Sequence, residues 1–158
     1  IIGGGVGMDM VKRRLQERPL ANLLTLPYQP LDQLRYSLSA ADLHVVTMID
    51  AVVGINHPCK VYGAMAVARP ILFLGPEASH VGDLLGSSEF GWQAPIDDPD
   101  RIVAVLQEAA TSESSLLEGL GQSGHATLHA GLSEEHLRGR FVDRVEEVAL
   151  GRTQLDVK

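Results

Sequence analysis

The sequence contains a single cysteine, Cys59, among 158 residues. One cysteine excludes a disulfide within the chain and a metal cluster held by cysteines, which is typical of proteins from a reducing compartment. Aromatic residues are also scarce, at 4%, so we expect a core of Leu, Val, Ile and Ala. The sequence has no apolar run near the roughly 20 residues that cross a bilayer, and the amino terminus lacks signal-peptide features. These absences favour a cytoplasmic protein.

Positive charge is scarce too: the chain has 13 Lys and Arg against 20 Asp and Glu, which gives a net charge of -7. The sequence has no basic stripe that could neutralise the phosphates of a nucleic acid, so we do not expect a nucleic-acid partner. The apolar share of 45% and the length predict one globular domain over residues 1 to 158, frayed after Gly151. The chain opens on Ile1-Ile2-Gly3-Gly4-Gly5, which resembles the end of a strand. We therefore expect a piece of a longer protein, one that lacks its first strand.

Strand and helix patterns alternate along the first 110 residues and then give way to helix alone. A β-branched run at residues 43–48 predicts a strand buried on both faces, and Pro58 is placed at the first position of a helix. This alternation predicts an α/β fold, a Rossmann-like parallel sheet with helices on both faces, ending in two or three helices. The predicted strands lie at residues 23–26, 43–48, 70–74 and 91–94, and the helices at residues 10–15, 31–38, 58–67, 81–85 and 100–110, with more after 111.

Ligands of open parallel sheets bind at the carboxyl ends of the strands, and three loops are candidates. Gly4 and Gly5 lie in a glycine run that leads into a helix, where backbone can approach a phosphate; a simple reversal of the chain explains the run equally well. Pro27, Tyr28 and Gln29 form a rigid loop suited to a flat base. The alternative for that loop is a turn whose tyrosine covers the edge of the core.

The third loop, residues 53–60, leads into a helix with Lys60 in its first turn. A cation and the free N–H groups at a helix start together suit an anionic group, so this loop is the predicted phosphate site. Three alternatives stay open: Lys60 is a solvated surface lysine, His57 packs the loop, and Cys59 is a small buried hydrophobic residue. No residue pattern in the sequence indicates a metal site or a resident cofactor.

Several of these segments together resemble one enzyme family. The order strand-GGG, LPYQP, AADL and HPCKVYGAMAVARPIL followed by Gly75-Pro76 is similar to the carboxy-terminal half of family-four GT-B glycosyltransferases, from Ile1 to about Ala110. That family joins two Rossmann-like domains, the first for the acceptor and the second for a nucleotide-sugar donor. Where the family commonly has two glutamates that contact donor sugar and ribose, this chain has Val53 and Gly63.

The resemblance implies a donor-binding half that moves a hexosyl group from a UDP- or GDP-sugar to a glycan, lipid-linked or small acceptor. The amino-terminal domain of the same enzyme is then the partner, and the full enzyme would associate peripherally with the inner face of the membrane. The implied donor contacts are Gly4, Gly5, Pro27, Tyr28, Gln29, Gly54, Asn56, His57, Lys60 and Tyr62, with Lys60 as the catalytic cation. A nucleotide-sugar 2-epimerase and a non-catalytic nucleotide-sugar-binding module remain alternatives on the same architecture.

Overall fold

A computed structural model describes residues 1 to 152, and the chain divides into two compact units, Ile1–Ala40 and Ala41–Lys158. The expected frayed tail falls mainly on residues 153 to 158, which lie outside the described part. The first unit contains helix α1 (Val6–Glu17) and a single 3-10 turn (Leu31–Gln33) that continues into helix α2 (Leu34–Ser39). Both helices lie where the sequence predicts them.

The strand predicted at residues 23–26 is reduced to one parallel bridge between Ile2 and Leu26. The Gly3 N–H donates to the Leu26 carbonyl at 3.0 Å, and the Leu26 N–H donates to the Ile1 carbonyl at 2.9 Å. Pro27 follows at once and has no N–H with which to extend the ladder. The prediction of a four-residue strand is therefore wrong, although the segment is extended and paired at the predicted place.

The second unit is built on a parallel sheet of β1 (His44–Thr47), β2 (Ile71–Leu74) and β3 (Gly91–Ala94), in that order. His44 is opposite Ile71, and Ile71 is opposite Gly91, so the three strands are in step. Since the strands are parallel, their carboxyl ends at Thr47, Leu74 and Ala94 share one edge of the sheet. The three strands and their directions confirm the predicted α/β fold.

Between residues 41 and 152, five helices follow or connect these strands. Three of these helices have an N-cap side chain: Ser79 for α4, Asp98 for α5 and Ser133 for α7. Each side-chain oxygen accepts a hydrogen bond from a backbone N–H of the first turn, which has no partner within the helix. The helix predicted to start at Pro58 is α3, and it begins two residues later, at Lys60. Helix α5 does have a proline in its first turn. The helices are α3 (Lys60–Ala66), α4 (His80–Ser87), α5 (Pro99–Thr111), α6 (Ser114–Thr127) and α7 (Glu134–Ala149), with a π turn at Leu128–Leu132.

Alternate residues of β2 point to opposite faces of the sheet, and helices cover both faces. Ile71 and Phe73 pack with buried residues of α3 and α4, whereas Leu72 packs with Val105 of α5. Two predictions about this core need correction. Val45 of β1 is 50% exposed because β1 is an edge strand and α5 packs mainly over β2 and β3. Phe73 and Phe90 are fully buried, so the core is not purely aliphatic.

Candidate functional site

A pocket of about 610 Å³ lies at the carboxyl ends of β1 and β2 in the second unit. The loop after β1 forms one wall with residues 53–58, and the start of α4 forms the other with Ser79, His80 and Asp83. Both segments follow parallel strands of the same sheet, which explains why they meet at one edge. The edge predicted from the alternation of strands and helices is thus the edge where the structure has a cavity.

The loop after β1 reaches this pocket through a tight reversal. A 3-10 turn over Asp50–Val52 is followed by Gly54 with a φ of 76°, a conformation that side chains other than glycine rarely adopt. The Asn56 N–H then donates to the Val52 carbonyl at 2.9 Å and closes the turn. Of the predicted donor contacts, Gly54, Asn56 and His57 therefore line the pocket.

Three side chains form a hydrogen-bonded chain at the pocket wall. The Tyr62 hydroxyl lies 2.6 Å from His57 Nε2 and 3.1 Å from His80 Nε2. The two imidazole rings meet edge to face, with centroids 4.6 Å apart. His57 and His80 line the pocket, whereas Tyr62, on α3, is not part of its lining. We refer to these three residues as the His57–Tyr62–His80 chain.

The surroundings shift the pKa of two members of this chain. Partial burial, and secondly the neighbouring His80, lower the pKa of His57 from its usual 6.5. Burial, and secondly Cys59, raise the pKa of the Tyr62 phenol above its usual 10.0. Both shifts favour the uncharged form, because desolvation penalises imidazolium and phenolate alike. At neutral pH the chain therefore presents His57 and Tyr62 as neutral hydrogen-bonding groups.

Lys60 is the first residue of α3, as predicted for a phosphate-binding cation, and it is exposed. The neighbouring N–H groups are less available than expected. Those of Cys59, Val61 and Tyr62 donate to carbonyls of residues 57, 58 and 59 at 2.9, 3.2 and 3.2 Å. The start of α3 is thus wound tightly enough to satisfy much of its own backbone, which leaves the Lys60 ammonium as the main attraction for an anion.

Cys59 is exposed, which corrects the interpretation of this residue as a small buried hydrophobic group. It is the N-cap residue of α3, and its Sγ lies 3.5 Å from the His57 carbonyl. A position in the turn between the loop and the helix leaves no core surface for the thiol to join.

The predicted contacts of the first unit form their own group around Tyr28. The bridge between Ile2 and Leu26 brings the glycine run beside the tyrosine, so that a Cβ on Gly4 would lie 3.1 Å from Tyr28 Cε2. The ring is 77% exposed, which contradicts the alternative that it covers the core edge. Gln29 Nε2 donates to the Pro27 carbonyl at 2.9 Å, and Gly5 precedes α1. These five predicted contacts therefore lie close together within Ile1–Ala40.

The sequence analysis missed His80 and Asp83, which line the pocket from α4. A signal for them was present: Gly75-Pro76 ends β2, and the loop after any parallel strand reaches the same edge as the loop after its neighbour. Within residues 1 to 152, His, Cys, Asp and Glu side chains form no group of three or more that could hold a metal ion. No helix in that part of the chain is long and apolar enough to cross a membrane.

Comparison with known proteins gives one informative likeness. The chain is 29% identical over 122 residues to a protein of Pseudomonas aeruginosa named probable glycosyltransferase WbjE. The aligned region covers 77% of this chain and 30% of that relative, so the chain spans less than a third of the relative's length. No family model matches the chain, and no solved structure matches it. The chain is thus similar, over most of its length, to part of a protein named as a glycosyltransferase.

Proposed function

We propose that this chain is the donor-binding part of a glycosyltransferase that moves a hexosyl group from a nucleoside diphosphate sugar to a glycan, lipid-linked or small acceptor. The observation that carries the proposal is the pocket at the carboxyl ends of β1 and β2, with Lys60 beginning the adjacent helix. The likeness to a probable glycosyltransferase supports the reaction class. The donor, the acceptor and the hexosyl group are parts of our proposal.

Lys60 acts on the diphosphate in this proposal. When the bond to the sugar breaks, negative charge grows on the departing diphosphate, and a fixed cation nearby stabilises that charge. Lys60 is exposed, so its ammonium is accessible to a phosphate without moving a buried group. The pocket beside it then holds the sugar, and its neutral His57 keeps that wall from attracting a second phosphate.

The first unit supplies a base-binding surface in the same proposal. Tyr28 has an exposed ring backed by Gly3 and Gly4, and a flat exposed ring offers a stacking surface for a nucleobase. The glycines matter because a side chain at Gly4 would crowd the ring at 3.1 Å.

Thermal denaturation with UDP, GDP, ADP and their sugars tests the proposal. A ligand at about 100 times its dissociation constant adds about 2.7 kcal/mol of stability to the form that binds it. We expect at least one diphosphate and its sugar to raise the melting temperature, with no effect from the corresponding nucleoside at equal concentration. The proposal fails if all diphosphates and nucleotide sugars leave the melting temperature unchanged at millimolar concentration.

A further inference from the structure

Two histidines near the end of α6 form a pair that the proposed donor pocket does not use. His125 lies in the last turn of α6, and His129 follows four residues later in the π turn Leu128–Leu132. Their ring centroids are 4.4 Å apart, and the ring planes are tilted by 51°. Neither residue lines the pocket at the carboxyl ends of β1 and β2. We refer to these two residues as the His125–His129 pair.

The backbone places both rings on one side of the helix. Residues four apart on a helix lie on the same face, one turn above the other. Thr127 has a φ of -60° and a ψ of -42°, and Leu128 has a φ of -58° and a ψ of -48°. The helical path is therefore unbroken between the two histidines. Histidines at this spacing become neighbours only on such a helix, which is why the sequence alone did not indicate a pair.

The ring nitrogens of this pair are available to an external ligand. His125 is half-buried and His129 is exposed. Within residues 1 to 152 the two rings contact each other, and neither makes a hydrogen bond or an ion pair. In the His57–Tyr62–His80 chain, by contrast, the Nε2 atoms of both imidazoles contact the Tyr62 hydroxyl. The two pairs of histidines therefore differ in how much of each ring a ligand can reach.

Two neighbouring imidazoles at this spacing form a chelating unit for a transition-metal ion. Imidazole nitrogen suits Zn²⁺, Cu²⁺ and Ni²⁺, and it binds at about 2.0 to 2.1 Å from zinc. At such distances, two rings bound at a right angle to one ion have centroids about 4.5 Å apart, and right angles are the preference of Ni²⁺ and Cu²⁺. The separation of 4.4 Å suits these two ions. The wider tetrahedral angle of Zn²⁺ would spread the rings further.

The position of the pair in the fold also favours a cation. The helical stretch ends at Leu132, so the pair lies near its carboxyl end, where carbonyl groups without a partner give a partial negative charge. The π turn is a rare conformation that occurs frequently at functional sites. Within residues 1 to 152 no third His, Cys, Asp or Glu completes a metal-binding group. The pair therefore supplies two ligands there, and water supplies the others.

We propose that the His125–His129 pair is a binding site for a divalent transition-metal ion that prefers nitrogen ligands at right angles, Ni²⁺ or Cu²⁺. The bound ion ties the π turn to the last turn of α6 and so stabilises the path that leads into α7. The inference does not depend on the proposed glycosyl transfer, because neither histidine belongs to the donor pocket. Failure of one proposal leaves the other unchanged.

Titration with Ni²⁺, followed by the NMR signals of the imidazoles, tests where the ion binds. Bound Ni²⁺ is paramagnetic and broadens the signals of the rings beside it. We expect the His125 and His129 signals to broaden first, while those of His57, His80 and exposed His136 on α7 persist. Mg²⁺, which prefers oxygen ligands, should leave every imidazole signal in place. Earlier broadening at any other histidine, or equal broadening at all of them, would overturn the inference.

Calorimetric titration with Ni²⁺ measures what each ligand contributes. His125→Gln and His129→Gln should each weaken Ni²⁺ binding by about tenfold or more, because a single imidazole lacks the effective concentration that a linked second ligand provides. His136→Gln removes an exposed histidine outside the pair and should leave the affinity unchanged. Circular dichroism verifies that each variant keeps its helices, and either variant of the pair decides the question if the other fails to fold. An Ni²⁺ affinity equal to that of the unsubstituted chain in a folded variant of the pair would overturn the inference.

Discussion

Lys60 is accessible at the start of α3, and several backbone N–H groups around it are already bonded. We therefore expect Lys60→Ala to weaken diphosphate binding by roughly tenfold or more, which corresponds to losing one charge-assisted hydrogen bond of about 1.5 to 3 kcal/mol. Binding of the free nucleoside should change little. Calorimetric titration of the chain with UDP or GDP and with the nucleoside measures both effects.

Lys12→Ala is the matched control, because Lys12 is also an exposed lysine on a helix and belongs to α1. It should leave diphosphate affinity unchanged. Equal affinities of the Lys60→Ala chain and the unsubstituted chain would show that Lys60 is only a solvated surface residue.

His57 makes folding stability depend on pH. Its folded pKa is lowered below the usual 6.5, chiefly by burial and then by His80, so the unfolded chain binds a proton more readily than the folded chain. The stability contributed by neutral His57 is fully present above about pH 6.5 and is lost as pH falls through the lowered folded pKa. The groups that face the ring are the Tyr62 hydroxyl and the His80 imidazole.

Urea denaturation from about pH 5 to about pH 8 measures this dependence. We expect His57→Gln to flatten the decrease in unfolding free energy below about pH 6.5, while His136→Gln on α7 keeps it. A decrease of the same size in His57→Gln and the unsubstituted chain would assign the effect to other groups.

A residue of the candidate site could be predicted when a local sequence pattern places it. It could not be predicted when its place depends on a contact between two distant segments. Lys60 follows a loop after a strand pattern, so its place at a helix start could be predicted. The contact between Tyr62 and His80 spans 18 positions and depends on β1 and β2 pairing in step. The turn at Gly75-Pro76 indicates only that the loop after β2 reaches this edge, and no local pattern shows that His80 meets Tyr62 there.

Most strands and helices could be predicted because the residues that stabilise them, apolar runs and helix caps, are visible in the sequence. β2 is a short apolar run, β1 lies within the apolar run at residues 43–48, and several helices have caps that the sequence displays, such as Asp98 and Ser133. The predicted strand at residues 23–26 has the same apolar character, but it lacks a partner long enough to form a ladder and ends at Pro27. Strand propensity therefore indicated the segment, and pairing decided its extent.

Two of the three glycines in helix α6 allow the effect of helix propensity to be measured separately from the effect of packing. A Cβ on Gly121 would lie 2.0 Å from the Ala68 carbonyl oxygen, whereas a Cβ on Gly119 would meet no atom within 4 Å. We expect Gly121→Ala to destabilise the protein by several kcal/mol, since backbone cannot yield as a side chain does. Gly119→Ala should stabilise it by up to about 1 kcal/mol, because alanine favours helix over glycine.

Chemical denaturation of both variants, with a check of helix content by circular dichroism, measures the difference. The two variants form a matched pair, because both replace a glycine by alanine in the same helix. Similar effects on the unfolding free energy would mean that α6 does not approach the turn after α3 as closely as 2.0 Å between Cβ and oxygen implies.

Each unit has its own candidate feature, the pocket in Ala41–Lys158 and the exposed Tyr28 ring in Ile1–Ala40, and the alignment covers 30% of the relative named probable glycosyltransferase. The architecture was predictable because each strand–helix step is local in sequence.

A glycosyl transfer needs an acceptor held and deprotonated beside the donor, and our proposal assigns to this chain only the donor side of that reaction. In that proposal the pocket, whose lining includes His57 and Asp83, holds the sugar of the donor. We therefore expect the chain to bind a nucleoside diphosphate sugar without transferring its hexosyl group. Incubation with radiolabelled UDP- and GDP-sugars and a broad mixture of glycan and lipid-linked acceptors measures turnover, and a thermal shift in the same samples verifies donor binding. Steady formation of glycosylated product by the chain alone would show that it carries an acceptor site, and would extend our proposal from a donor-binding part to a complete transferase.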